Sequence, residues 1–265
     1  MCLIALALGA HPRWPLVIAS NRDEYRARPT APLATWATPA GTPVVAGRDL
    51  QDGGTWFGVT PTGRVAMLTN VRRGEARAGL RSRGELVTRW LDSGLDAAGF
   101  AKTIDASAYA GFNLILGDHA AGDWHCLHNA DAPALAMARI APGIHGLSNA
   151  QLNTPWPKTV QLKRSLAQAL ADAPDGQALQ ARLFNALQDA TRYPPTELPH
   201  TGVPAAMELG LSSAWVDLPE YGYGTRSSAV LVAEPTGPST RVTLWEQTYG
   251  SATPAVARQE TLRWP

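Results

Sequence analysis

A cysteine at position 2 opens the apolar run Cys2-Leu3-Ile4-Ala5-Leu6-Ala7-Leu8. A residue this small permits removal of Met1, which leaves a free α-amine and a thiol on one residue. An α-amine titrates near ~8 and acts as a base at neutral pH. A thiol beside its own base is an activated nucleophile. The plainer reading is a small hydrophobe in a buried first strand. Asn21-Arg22-Asp23-Glu24 follows directly on the second apolar run, Leu16–Ser20. A hairpin of the two runs brings this tetrad to the start of the first. There Arg22 puts positive charge near the Cys2 sulfur and lowers its pKa, and Asp23 can hold the α-amine. Four polar residues at a strand end also fit a solvated turn.

Two further strand ends carry side-chain amides, Leu68-Thr69-Asn70-Val71-Arg72 and Leu147-Ser148-Asn149. Asparagine at such places forms turns, or donates an N–H to the oxyanion that develops in acyl transfer. Arg226, within Tyr223-Gly224-Thr225-Arg226-Ser227-Ser228, is either a surface cation or a carboxylate binder that also polarises the thiolate. Gly53-Gly54-Thr55-Trp56-Phe57-Gly58 approaches a strand but lacks the Gly-Lys-Ser/Thr of a phosphate loop. His119, His125 and His128 lie close in sequence. His125 and His128 have opposite strand parity and face opposite ways, so no metal site is expected. Without a Cys-x-x-Cys-His, covalent c-type haem is excluded. Cys126 reads as a packed strand residue.

Short apolar runs at Cys2–Gly9, Leu16–Ser20, Val44–Ala46, Thr55–Val59 and Val65–Thr69 predict strands, with 22–40 as loop. Ser82 and Asp96 are candidate caps for two helices, carrying Leu86, Val87, Trp90 and Leu91, then Phe100 and Ile104. Strand character returns at Phe112–Leu116, Trp124–Leu127 and Ala134–Ile140. Pro157 and Asp175 start a helical pair with leucines at 162, 166 and 170 and at 179, 183 and 187. Tyr193–Leu211 reads as loop, and Ser228–Ala233 and Thr240–Glu246 as closing strands. Strands and helices segregated in this way predict an α+β fold in one domain spanning 1–265, with helices outside antiparallel sheets.

The chain has 265 residues, 45% of them hydrophobic and 17% charged, enough to bury a large core. Its net charge of +1 gives no reason to expect a nucleic-acid surface. Two cysteines are too few for a disulfide scaffold and are expected reduced in a cytoplasmic setting. No stretch approaches the ~20 apolar residues that span a bilayer.

Taken together the motifs resemble the NRDE family, that of the transport and Golgi organisation protein 2 proteins. The resemblance rests on Met1-Cys2-Leu3-Ile4, Ser20-Asn21-Arg22-Asp23-Glu24, Gly53-Gly54-Thr55-Trp56-Phe57-Gly58, Leu68-Thr69-Asn70-Val71-Arg72, Gly111-Phe112-Asn113-Leu114, Gly146-Leu147-Ser148-Asn149, Trp156-Pro157-Lys158 and Tyr223-Gly224-Thr225-Arg226-Ser227-Ser228. A more distant similarity is to the choloylglycine hydrolase and penicillin acylase branch of the N-terminal-nucleophile hydrolases. It implies a four-layer αββα sandwich, with Cys2 as nucleophile and its own amine as base. Arg22, Asp23, Asn70, Asn149 and Arg226 would then be catalytic, with Asn70 and Asn149 at the oxyanion. Asp23 and Glu24 compete for one role, because the branch separates its Arg and Asp whereas here they are adjacent. Asn21, Glu24, Trp56 and Arg72 are expected to contact the ligand. The family resemblance also implies links to haem mobilisation and to acyl-coenzyme A or lipid homeostasis. The ligand is therefore expected to be an acyl or amide compound, an acyl-coenzyme A or haem, with no cofactor required.

Overall fold

Alternation of apolar residues within the strands builds two seven-stranded antiparallel sheets. The computed structural model describes residues 2–74, 80–129, 135–250 and 256–265, residue 2 through its backbone. In chain order the first strands are β1 (Cys2–Leu8), β2 (Leu16–Tyr25), β3 (Thr30–Ala37), β4 (Pro43–Asp49), β5 (Phe57–Val59) and β6 (Arg64–Asn70). Helices α1 (Gly84–Asp92) and α2 (Ala97–Lys102) precede β7 (Phe112–Asp118), β8 (Asp123–His128), β9 (Ala136–Arg139) and β10 (Gly143–Leu147). Then come α3 (Pro157–Asp172), α4 (Gly176–Leu187), α5 (Ala205–Gly210), β11 (Asp217–Leu218), β12 (Tyr223–Thr236), β13 (Ser239–Thr248) and β14 (Val256–Trp264).

One sheet runs β10-β1-β2-β12-β13-β14, with β11 on β12; the other runs β3-β4-β5-β6-β7-β8-β9. Period-two alternation sorts each strand into two faces. Ile4, Leu6, Ile18, Leu231 and Leu244 meet Val45, Val59, Met67, Ile115 and Cys126 between the sheets. Leu3, Ala5, Val17, Ala19, Val230 and Val232 pack outward against the leucines of α3 and α4. Val44, Ala66, Leu114, Leu116 and Leu127 pack outward under α1 and α2. The result is the expected α+β, four-layer αββα sandwich. No helix among the described residues is long and apolar enough to cross a membrane.

Several local expectations are corrected. Residues 22–40 are not loop: β2 runs on to Tyr25, and β3 follows as an edge strand. Pro32 falls within the register shift between Ala31 and Ala34, the kind of bulge that tolerates a residue without an N–H. The N-cap of α1 is Arg83, with no side-chain cap bond, rather than Ser82. Asp96 and Asp175 cap α2 and α4, accepting from Gly99 N at 2.7 Å and Ala178 N at 2.8 Å. The 193–211 segment contains α5, and β14 follows the strands read as closing the chain. Ala134 lies outside the described residues; β9 covers Ala136–Arg139 of that expected strand.

Candidate active site

The β1–β2 hairpin places residue 2 directly opposite Arg22. Along β2 the inward-facing positions change from Leu16 and Ile18 to Arg22 and Glu24, so the space between the sheets turns from oily to charged at one end. In an antiparallel sandwich the start of β1 and the ends of β2, β6, β10 and β13 all meet there. A cleft of about 370 Å³ opens at this end. Arg22, Asp23, Glu24, Trp56, Leu68 and Asn70 line it, with Arg28, Asp49, Asp52 and the 80–84 segment completing its walls.

Arg22 is only 5% exposed. It donates to Thr30 Oγ1 at 3.1 Å and lies 3.8 Å from Glu24 and 3.9 Å from Asp49. Its guanidinium stacks over the Trp56 ring at 4.2 Å. Trp56 takes this position because Gly47 lacks a side chain: a Cβ there would sit 2.5 Å from the indole. Gly54 allows a similar approach of backbone to backbone, since its Cβ would sit 2.5 Å from the Gly84 carbonyl carbon at the start of α1. The glycine-rich motif therefore seats the wall of the cleft on a helix. Arg28 bridges Asp49 at 2.7 Å and Asp52 at 2.6 Å across the mouth.

Asn21 and Asp23 alternate to the other face, toward the helices. The Asn21 amide donates to Leu187 O at 2.8 Å and Ala214 O at 2.9 Å, and Ser228 Oγ donates to its Oδ1 at 2.6 Å. Asp23 is 1% exposed and accepts from Thr225 Oγ1 at 2.7 Å. Burial pushes its carboxyl pKa up, opposed chiefly by the charge of Lys158 and then by the Thr225 hydrogen bond and Arg72.

The remaining predicted residues lie behind the cleft wall. The Asn149 side chain donates to the Asn70 carbonyl at 2.8 Å, and its own carbonyl accepts from Arg72 N at 2.8 Å. The Asn149 amide thus fixes the end of β6, while Asn70 itself lines the cleft. Arg72 pairs with Glu208 at 2.6 Å and stacks on Trp156 at 4.8 Å; burial pushes its pKa down against that carboxylate. Arg226 occupies the bulge where β12 slips against β2 between Thr225 and Ser227. It donates to the carbonyls of Tyr25 and Arg26 at 2.8 Å and of Arg28 at 3.2 Å, clamping the turn after β2. Burial and the nearby charge of Arg22 lower its pKa.

Sequence reasoning missed Asp49, Asp52, Lys158 and Glu246. Asp49 ends β4 and Asp52 lies in the turn after it, and both read as solvated charge. Glu246 had a signal, because it continues the inward parity of Val242 and Leu244. It is 3% exposed, accepts from Leu33 N at 2.7 Å, and burial pushes its pKa up against that bond, Thr248 and Arg22. Among the described residues no group of three or more His, Cys, Asp or Glu is placed to hold a metal.

Comparison with known proteins assigns the chain. The family described as Transport and Golgi organisation 2 matches residues 1–251. The Transport and Golgi organization protein 2 homolog of Bos taurus is 32% identical over 251 residues, covering 89% of this chain and 90% of the relative. The Homo sapiens homolog is 31% identical over 258 residues, again with 89% and 90% coverage. Among solved structures, the Caenorhabditis elegans N-acylethanolamine-hydrolyzing acid amidase ortholog superposes with a TM-score of 0.52 at 12% identity, over 87% of this chain and 92% of its own. A variant of the conjugated bile acid hydrolase from Clostridium perfringens gives 0.55 at 9% identity, over 99% and 97%. These two likenesses concern the fold. The ordered motifs, the match along nearly the whole sequence and the identity to full-length relatives agree, and the chain belongs to the transport and Golgi organisation 2 family.

Proposed function

We propose that the chain, once Met1 is removed, is a cysteine amidohydrolase or acyl transferase acting on an amide or thioester. The observation that carries this reading is the β1–β2 register, which sets residue 2 across from Arg22 at the end of the sandwich where the cleft opens. In the proposed reaction the Cys2 thiol passes its proton to the α-amine of the same residue. The sulfur bonds to the substrate carbonyl carbon, and the Asn70 amide stabilises the oxyanion. Collapse expels the amine or thiol, which takes the proton from the ammonium. Water, deprotonated by the same amine, or an acceptor nucleophile then releases the acyl group from the thioester. Arg22 supplies positive charge beside the nucleophile, and Asp23 keeps the amine in place. Both structural neighbours are named as an amidase or hydrolase, which supports looking for this reaction class first.

The test is turnover of a panel of chromogenic amides and acyl thioesters by wild type, Cys2→Ser and Cys2→Ala. The expected result is loss of turnover by about three orders of magnitude or more in Cys2→Ala. Turnover unchanged in that variant refutes the reading.

A second reading is binding without turnover, of an acyl-coenzyme A or of transported haem, in the same cleft. Arg81, Arg83 and the exposed Leu80 share one wall and suit the anionic and apolar parts of such a ligand, while Arg28 is paired with Asp49 and Asp52 on the other. Calorimetric titration with an acyl-coenzyme A supports this reading if it saturates in Cys2→Ala as in wild type. A haem titration without a Soret shift removes the haem version.

A further inference from the structure

The motif Gly111-Phe112-Asn113-Leu114 takes no part in the reaction drawn above, yet Asn113 on β7 is fully buried and its side-chain amide is engaged at both ends. Its Nδ2 donates to Thr69 Oγ1 at 2.9 Å and to the Ala150 carbonyl at 2.8 Å. Its Oδ1 lies 2.6 Å from His128 Nδ1. A carbonyl can only accept, so Nδ2 must face Ala150. Oδ1 then faces His128, and His128 Nδ1 carries the proton. That bond survives whether the imidazole is neutral or charged. The two acceptors are neighbours of the two candidate amides: Thr69 directly precedes Asn70, and Ala150 directly follows Asn149. Residues 148–150 continue β10, which pairs with β1, the strand that begins at Cys2. β6, which ends at Asn70, belongs to the other sheet. The candidate nucleophile and the candidate oxyanion donor therefore lie on different sheets. What joins the sheets here is the 148–150 segment, held to β6 and the residues after it by Asn149 through the Asn70 carbonyl and the Arg72 N–H, and to β7 by Asn113.

We infer that Asn113 is a positioning residue for the oxyanion site: by holding Thr69 and the Ala150 carbonyl together, it fixes the Asn70 amide on one sheet relative to Cys2 on the other. The inference rests on the acyl-transfer reading. A leucine of similar volume binds neither Ala150 nor Thr69, and the join between the sheets loosens. A displacement of about 1 Å between reacting groups costs up to about a hundredfold in rate.

The experiment compares two reactions of Cys2 in the full chain lacking Met1, with adducts counted by intact mass. With p-nitrophenyl acetate the sulfur bonds to the acetyl carbon, p-nitrophenolate leaves, and charge develops on the carbonyl oxygen on the way. With iodoacetamide the sulfur displaces iodide from carbon and no oxyanion forms. Cys126 does not interfere, because it is buried and its thiol is pushed up to about 12. Asn70→Ala is expected to slow acetylation about a hundredfold. Asn113→Leu is expected to slow it about tenfold and to leave alkylation within about twofold. Added to Asn70→Ala, Asn113→Leu is expected to slow acetylation no further, because the amide it positions is gone. Thermal melts identify a variant that fails to fold; if Asn113→Leu does so, the isosteric Thr69→Val, which removes one acceptor of the Asn113 amide, is expected to slow acetylation about threefold and decides the matter. A wild-type chain that Cys2 does not allow to be acetylated, or Asn70→Ala acetylated at the wild-type rate, overturns the acyl-transfer reading and this inference with it. Acetylation that depends on Asn70 but is unchanged in Asn113→Leu, equal slowing of acetylation and alkylation, or additive losses in the double variant overturn this inference alone.

Discussion

Each residue at the cleft is defined by what its neighbours leave it free to do. Glu246 is a buried carboxylate set among core positions, satisfied by the Leu33 N–H and Thr248 and acted on by Arg22. Its pKa is raised by burial, so the folded chain holds that proton to higher pH than the unfolded chain does. The contribution is therefore fully present below the ordinary Glu range and is lost as pH rises through the raised value. Glu246→Gln is expected to flatten the stability–pH curve above the ordinary Glu range, as read by thermal melts across pH. A curve that keeps its wild-type slope refutes the assignment. The places of Arg22 and Glu24 on the cleft wall were legible in the sequence because a polar tetrad interrupts an apolar strand. The places of Asn149 and Arg226 were not, because an amide or guanidinium at a strand end can turn to backbone carbonyls as readily as to a ligand. Here Asn149 serves the Asn70 carbonyl, and Arg226 serves three carbonyls of the turn after β2.

At the scale of elements, the cleft depends on strand ends being pinned from behind. The residue after next beyond β6, Arg72, is joined to α5 through Glu208, with side-chain exposures of 3% and 6%. Arg72→Met leaves a buried carboxylate without its partner and is expected to cost about 3–5 kcal/mol. Arg72→Met with Glu208→Leu should recover most of that. Urea unfolding of the three proteins checks this, and a single-variant loss below about 1 kcal/mol contradicts it. Most strands that sequence patterns found have a face in the central layer, such as β1, β6, β7 and β12; the exposed edge strand β9 is an exception. Those missed are edges. β3 carries a proline in a bulge, and β14 alternates mostly exposed residues, so neither gives an apolar rhythm. The two edges lie against each other and close one side of the sandwich, with Thr35 Oγ1 donating to Glu260 at 3.5 Å.

For the whole molecule, two sheets packed through one apolar layer must end somewhere, and the polar end is where chemistry is available. The layer order was legible because two helical pairs with regular apolar spacing fall between blocks of strands, which leaves each sheet one helix-covered face. The depth and walls of the cleft were not legible. They depend on Gly47 making room for Trp56 and Gly54 closing on Gly84, contacts between distant segments that no local pattern encodes. The proposed activity requires that the α-amine of residue 2 be free and that its thiol react within this cleft. Intact mass before and after treatment with an acylating thiol probe tests both together. The account predicts a protein one methionine short that takes a single acyl group, with no adduct in Cys2→Ala. A chain that keeps Met1, or an adduct that survives Cys2→Ala, contradicts it.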